Sequence, residues 1–272
     1  MIKNWMKDQK ITMIGGKRLS DIKIMVVTHK EASMPNNKKL YVPTLVGQNK
    51  EKILNVFGHS YCDDDGENIA KRNPSFCELT AMYWAWKNLE AEYVGLVHYR
   101  RVFMSPADQT KVIGQQELET LFRDVDILLP KKRNYYIETT YSHFEHNHNI
   151  ADLLETRKII KEKFPAYITA FDRTMKYKKS HRFNMMIMKQ EKFSDYCEWL
   201  FSILFELENR VDISKYDPYQ SRLFGFISER LLDVWIETTG YPYKELPYKF
   251  TEKQNWLKKG SKFLLHKMKI IS

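Results

Sequence analysis

The chain has 272 residues, 43% hydrophobic and 29% charged, enough to bury one sizeable core without covalent staples. Lysine and arginine number 44 against 34 acidic residues, giving a formal charge of +10 and a pI near 9.2. That balance calls for an acidic partner: a nucleotide, a nucleic acid or an anionic membrane surface. Three well-separated cysteines, Cys62, Cys77 and Cys197, suggest neither a disulfide framework nor a zinc ribbon and suit a reducing, cytoplasmic setting. No run approaches the roughly 20 apolar residues of a membrane span, and residues 1–21 lack the apolar stretch of a signal peptide, so they read as a leader.

In chain order, Ile22 to Val27 is a compact strand signal followed at once by Thr28, His29 and Lys30. An α/β nucleotide-binding domain places its first ligand loop there, although neither a dinucleotide fingerprint nor a P-loop is present. Tyr41 to Val46 reads as a short extended piece. The acidic run Asp63-Asp64-Asp65-Gly66-Glu67-Asn68 lacks the ligand spacing of a calcium loop and reads as a turn. Asn73-Pro74-Ser75, with Glu78 three residues after Ser75, resembles a capping box and predicts one helix over Phe76 to Asn88. Its Leu79, Met82, Tyr83 and Trp86 recur at helical spacing as core, and Glu78 lies in the first turn.

Tyr93 to Val97 is an apolar run of the kind buried on both sheet faces, and it ends abruptly in His98-Tyr99-Arg100-Arg101. Ligands of open α/β sheets sit beyond the carboxyl ends of strands, and paired arginines there select an anion. A guanidinium presents a planar fork of donors suited to phosphate oxygens, so two of them can hold a diphosphate without a metal. The competing reading is a surface turn with solvated arginines.

A helix over Gln115 to Arg123 and a buried run Val125 to Leu129 precede the basic, aromatic cluster Lys131-Lys132-Arg133-Asn134-Tyr135-Tyr136. That cluster suits either polynucleotide phosphates and bases or a sugar diphosphate site. His143, His146 and His148 lack the four-residue spacing of a zinc helix, so hydrogen bonding to substrate or helix entry is favoured over a metal. Helices follow over Ile150 to Phe164 and Tyr167 to Met175, then a strand over His181 to Met188 and a helix over Phe193 to Leu207. Asp217-Pro218-Tyr219-Gln220 opens a further helix, with Asp217 as either a cap or a proton acceptor and Gln220, Arg222 and Glu229 following. Asn255 to Ile271 alternates basic with large apolar residues, as in a tail that lies on an anionic membrane.

These strings together resemble a glycosyltransferase family first described as a domain of unknown function in bacterial capsular and exopolysaccharide gene clusters, with members associated with galactofuranose transfer. The resemblance runs from about Ile22 to Trp256. It is carried by VVTHK from Val26, GENIAKRNPSFCELTAMYWAWKN from Gly66, YVGLVHYRR from Tyr93, LLPKKRNYYIET from Leu128, FNMMIMK from Phe183 and DPYQSRLFGFISERL from Asp217. The family has mostly Asp where Glu67 stands and often His where Asn149 stands.

The resemblance implies a single Rossmann-like α/β domain of the GT-A type over residues 22–250, with a central mixed, mostly parallel sheet flanked by helices and a basic tail at 251–272. Thr28, His29 and Lys30 would bound the nucleotide pocket, and Asn68, Lys71 and Asn73 would close over the donor beside Glu78. Most transferases of this architecture carry Asp-x-Asp after the central strand to hold a bivalent ion. Here His98, Tyr99, Arg100 and Arg101 stand in that place, so no metal or other cofactor is expected.

The expected reaction moves galactofuranose from a UDP-sugar to a hydroxyl of a lipid-linked glycan at the inner face of the plasma membrane, with inversion. Asp217 is the first-choice base and Glu229 the second. Sugar or acceptor would meet Arg133, Tyr136, His146, His148, His181, Asn184 and Gln220. A UDP-pyranose donor is the near alternative. A nucleic-acid-binding protein and a metal-dependent hydrolase using the histidines and Asp63 to Asp65 are rivals of other classes.

Overall fold

Runs of Ile, Val, Leu and Met without polar alternation form the inner strands of one mixed sheet, because both of its faces are covered. The computed structural model describes Met13–Ile14 and residues 17–252. Within them the chain forms β1 (Ile22–Thr28), β2 (Tyr41–Leu45), α1 (Lys50–Phe57), β3 (Tyr61–Cys62), α2 (Asn73–Phe76), α3 (Leu79–Asn88), β4 (Tyr93–His98) and β5 (Arg101–Phe103). There follow α4 (Gln115–Leu121), β6 (Ile127–Pro130), β7 (Arg133–Asn134), α5 (Thr140–Asn147), α6 (Ile150–Lys163), α7 (Ile168–Thr174), β8 (Lys179–Ser180) and β9 (Met186–Lys189). The last elements are α8 (Gln190–Arg210), α9 (Leu223–Thr239), β10 (Tyr243–Leu246) and β11 (Tyr248–Phe250). The C-terminal stretch Asn255 to Ile271 lies outside the described residues.

The main sheet runs β10-β6-β9-β4-β1-β2-β3, with β5 and β11 paired beside the end of β4. Its neighbours are parallel except where β9 lies antiparallel between β6 and β4. Side chains alternate across the strands, so Met25, Val27, Val94, Leu96 and Met188 face α3, α6, α8 and α9. Ile24, Val26, Val97 and Ile187 face the opposite layer, built on Leu40, Phe103 and Leu118 of α4. This is the expected α/β architecture.

Two elements differ from the sequence reading. The helix expected over Phe76 to Asn88 is broken, because Cys77 sits at φ +56° between α2 and α3. Ser75 does not close a capping box: its hydroxyl donates to the Arg72 carbonyl, and Glu78 instead accepts from Asn184. The strand expected over His181 to Met188 begins only at Met186, since Phe183 and Asn184 turn the chain at φ +76° and +50°. Hydrophobic patterning reports burial, and residues 181–185 are buried without being paired in the sheet.

Gly95 fixes the close approach at the centre of the sheet. A Cβ there would stand 2.9 Å from Ile24 Cγ1 and 3.2 Å from Ile187 Cγ1, in the two flanking strands. Gly95→Val is expected to cost about 1–3 kcal/mol through overpacking, read as a lower urea midpoint with an unchanged slope. A midpoint equal to that of the parent protein would refute this account of the packing.

Candidate active site

Strand direction brings the polar ends together. β1, β4 and β6 finish at one edge of the sheet, and β9, running the other way, starts there. That edge therefore carries Thr28 and His29, then His98 to Arg101, then Lys131 to Arg133, and the turn at residues 182–184. Between the first two strand ends and the α2–α3 break lies a cleft of about 230 Å³ lined by Thr28, His29, Asn73, Cys77, Glu78, His98, Arg100 and Arg222.

The cleft is cationic through Arg100 and Arg222, and Arg101 lies beyond its lining. Arg100 lies 5.1 Å over the buried ring of Tyr99, and Arg101 lies 4.0 Å over Phe183 and 5.1 Å over Phe250. Among the described residues the Nε atoms of both arginines are buried without a hydrogen-bond partner. Arg222 reaches in from the turn before α9, its Nε donating to Cys77 Sγ at 3.2 Å.

His98 Nδ1 accepts the Arg100 backbone N–H at 3.2 Å, an assignment that leaves Nε2 as the N–H donor. Burial, and then Arg100 and Arg101, push its pKa down to about 2, so the imidazole is neutral. Burial and the same Arg100 also lower His29. The arrangement offers guanidinium forks and a neutral imidazole donor to an anion. Guanidinium nitrogens have no lone pair to give, so Arg100 and Arg222 cannot themselves ligate a bivalent ion.

The opposite wall is held by side-chain bridges. Asn184 Nδ2 donates to Glu78 Oε1 at 2.9 Å, while its Oδ1 accepts from Ser228 of α9 at 3.0 Å. Burial raises the Glu78 carboxyl above its ordinary value, with the Asn184 bond opposing. Asn73 Nδ2 donates to the Cys77 carbonyl at 2.9 Å and to Thr80 Oγ1 at 3.1 Å, and Thr80 donates to the buried Asp63, which Lys50 neutralises. Among the described residues, the non-glycine positions at positive φ are Cys77, Tyr136, Phe183 and Asn184, all around this edge. Such backbone costs on the order of 1–3 kcal/mol per residue and concentrates where function requires it.

Of the other sequence candidates, Lys30 points along the rim, paired with Glu252 at 2.8 Å. Asn68 closes its own turn through the Asp64 and Gly66 carbonyls, and Lys71 is exposed. Asp217 is exposed and accepts the backbone N–H groups of Tyr219 and Gln220 at 2.7 and 3.0 Å, so it caps the turn before α9. Glu229 is partly buried beside Arg230 at 3.2 Å and Arg182 at 3.9 Å.

His148 bonds Gln220 at 3.1 Å and packs on Phe226 at 4.1 Å, whereas His146 pairs with Glu138 at 2.6 Å. Tyr136 is 77% exposed, and the exposed Arg133 lies 5.3 Å over the Tyr135 ring. His181 is buried away from the cleft between Asp233 at 2.5 Å and Glu245 at 3.2 Å. Lys132 leans on the same Asp233 at 3.8 Å, so the basic cluster is divided between an internal ion pair and the surface.

Sequence reading omitted Arg222 and Cys77 from the cleft, and Arg182 and Arg230 beside it. Arg182 precedes a strand, and only its antiparallel course brings that end to the ligand edge.

The Domain of unknown function (DUF4422) family model matches residues 23–240, and the chain belongs to that family. The solved WbbM bifunctional glycosyltransferase, in its apo form, is 31% identical with a TM-score of 0.76 over 86% of this chain. This chain spans 46% of the length of that protein. The mannosyltransferase Ktr4p from S. cerevisiae is 11% identical over 85% of this chain and 70% of its own, with a TM-score of 0.36. No curated protein matches the chain.

Two outcomes follow from the geometry. The His98 ring resonances of the ligand-free protein should stay flat from about pH 5 to 8, and an inflection near the ordinary 6.5 in an NMR titration would contradict the cationic setting. For His181, burial disfavours the cation but the two carboxylates outweigh it, so its pKa is raised. Asp233 is lowered, as His181 and Lys132 outweigh burial.

The pair is therefore at full strength between the ordinary values of 3.8 and 6.5. It fades below as Asp233 protonates and above as His181 deprotonates. Asp233→Ala should cost about 3–5 kcal/mol in that window and less at alkaline pH, measured by urea unfolding. An equal cost at both would remove the ion pair from the account.

Proposed function

We propose that the protein is a glycosyltransferase that moves a sugar, galactofuranose in the first instance, from a UDP-sugar to a hydroxyl of a lipid-linked glycan intermediate in capsular or exopolysaccharide synthesis. The observation that carries this is the convergence of Arg100, Arg222 and neutral His98 on one cleft at the strand ends, in a fold shared with half of a solved glycosyltransferase. No helix among the described residues is long and apolar enough to cross a membrane.

The nucleoside lies against Thr28 and His29, and the diphosphate against Arg100, Arg222 and the His98 Nε2–H. As the glycosidic bond breaks, negative charge grows on the departing diphosphate. Donors fixed in advance bind that charge more strongly in the transition state than in the ground state, which lowers the barrier. Cationic side chains do this in place of a bivalent ion. The acceptor hydroxyl attacks from the opposite face and loses its proton to a carboxylate. We place that role on Glu229, because it stands beside Arg182 and Arg230, while Asp217 Oδ1 accepts both turn N–H groups as a cap.

UDP is expected to bind equally with and without chelator. Arg100→Ala and Arg222→Ala should each weaken it about 10- to 100-fold, worth about 1.4–2.7 kcal/mol, by calorimetry. Glu229→Gln should keep UDP affinity and lose turnover, and Asp217→Asn should keep both. A screen of UDP-furanose and UDP-pyranose donors names the sugar. Loss of UDP binding on chelation, or full activity in Glu229→Gln, would contradict the mechanism.

A further inference from the structure

Beside the cleft a second set of guanidinium groups is buried with too little negative charge. Arg182 is 2% exposed, and among the described residues none of its Nε, Nη1 and Nη2 atoms has a hydrogen-bond partner. The nearest paired carboxylate oxygen, on Glu229, stands 3.9 Å from Nη1, outside hydrogen-bond reach. Arg230 is 3% exposed, spends one nitrogen on the Phe226 carbonyl at 2.7 Å and on Glu229 at 3.2 Å, and keeps a buried Nε without a partner. Two permanent cations thus share one carboxylate. Residues 1–12, 15–16 and 253–272 contain a single acidic side chain, Asp8, so the chain has little further charge to offer them.

The rest of the setting is aromatic and neutral. Arg182 lies 5.0 Å over the Tyr135 ring and Arg230 lies 5.1 Å over Phe144. His143 and His148 supply no counter-charge, since an imidazole is at most neutral, and burial and these arginines push their pKa down to about 3 and about 4. Arg100 and Arg222 act on both His29 and His98, by contrast, with Lys30 on His29 alone and Arg101 on His98 alone. Arg182 and Arg230 thus pair with Glu229, at 3.9 and 3.2 Å, and neither lines the nucleotide cleft that Arg100 and Arg222 enter.

We propose that Arg182 and Arg230 form a second anion subsite, which binds a carboxylate or phosphate carried by the acceptor rather than the donor diphosphate. This rests on the transferase reading, in which Glu229 takes the acceptor's proton. The two arginines that pair with Glu229, and do not line the nucleotide cleft, then face the acceptor. An oxyanion there satisfies the free forks of both arginines through charge-assisted bonds, which a neutral hydroxyl cannot match. Tyr219, 52% exposed and stacked 5.7 Å from His148, offers a ring face to the adjoining sugar. The acceptor class is therefore an acidic glycan, its charge coming from a uronic acid or from a glycosyl phosphate.

The test uses the full chain saturated with UDP, so that the donor cleft is occupied. Methyl glucuronide, glucose 1-phosphate and uncharged methyl glucoside are compared as ligands by calorimetry and thermal shift. At least one anion should bind ten-fold or more tightly than the neutral glucoside. The stronger of the two identifies the source of the charge.

Arg182→Met should abolish the preference and leave UDP affinity within about three-fold. It should also melt higher than the parent, because a buried charge without a partner has been removed. Equal binding of all three ligands would overturn the proposal. So would a ten-fold loss of UDP affinity in Arg182→Met, which assigns the pair to the donor, or a lower melting temperature, which makes Arg182 structural. Should the parent protein not bind UDP at all, the donor reading fails, and the comparison of the three ligands without UDP still decides this one.

Discussion

Positive charge held out of water without a matching number of carboxylates is the constraint on which the site is built. Desolvating a guanidinium is expensive, and evolution tolerates it where a ligand supplies the missing anion. Arg100, Arg101, Arg182 and Arg230 each bury at least one nitrogen that lacks a partner among the described residues. Aromatic faces support all four, Tyr99 under Arg100, Phe183 under Arg101, Tyr135 under Arg182 and Phe144 under Arg230, which fixes the planes of the forks without using their N–H groups. The neighbouring imidazoles respond by losing their protons, so the charge of the site resides in groups that do not titrate near neutral pH.

The fold supplies the edge on which these charges meet. Parallel β1 and β4 deliver their following residues to the same side, and the reversal of β9 adds the start of a strand to those ends. Strained turns then aim the side chains. The left-handed pair Phe183 and Asn184 places a ring under Arg101 and an amide against Glu78, and the break at Cys77 brings its sulfur to Arg222. Gly225 of α9 permits that approach, since a Cβ there would stand 3.3 Å from Cys77 Sγ.

Strand identity was legible in the chain because burial on both faces leaves unbroken apolar runs. Ile22, Tyr41 and Tyr93 each open a strand as read. The polar end of the central strand was legible at His98 and Arg100 because they directly follow such a run. What stayed hidden depends on direction and on backbone exceptions. Nothing in the letters HRFNMM tells that residues 182–184 form a left-handed turn at the mouth of an antiparallel strand, or that Cys77 interrupts a helix with good local propensity. Asp217 shows the converse limit. Asp followed by Pro before a helix fits a cap as well as a base, and the two backbone N–H groups that occupy its oxygen are visible only in three dimensions.

The most direct measurement is a crystal structure of the complex with UDP, grown in chelator. The account predicts diphosphate oxygens within hydrogen-bond distance, about 2.7–3.2 Å, of the Arg100 and Arg222 nitrogens and of His98 Nε2, with the nucleoside over Thr28 and His29. A diphosphate seated elsewhere on the sheet edge, or these arginines turned away from it, would contradict the account.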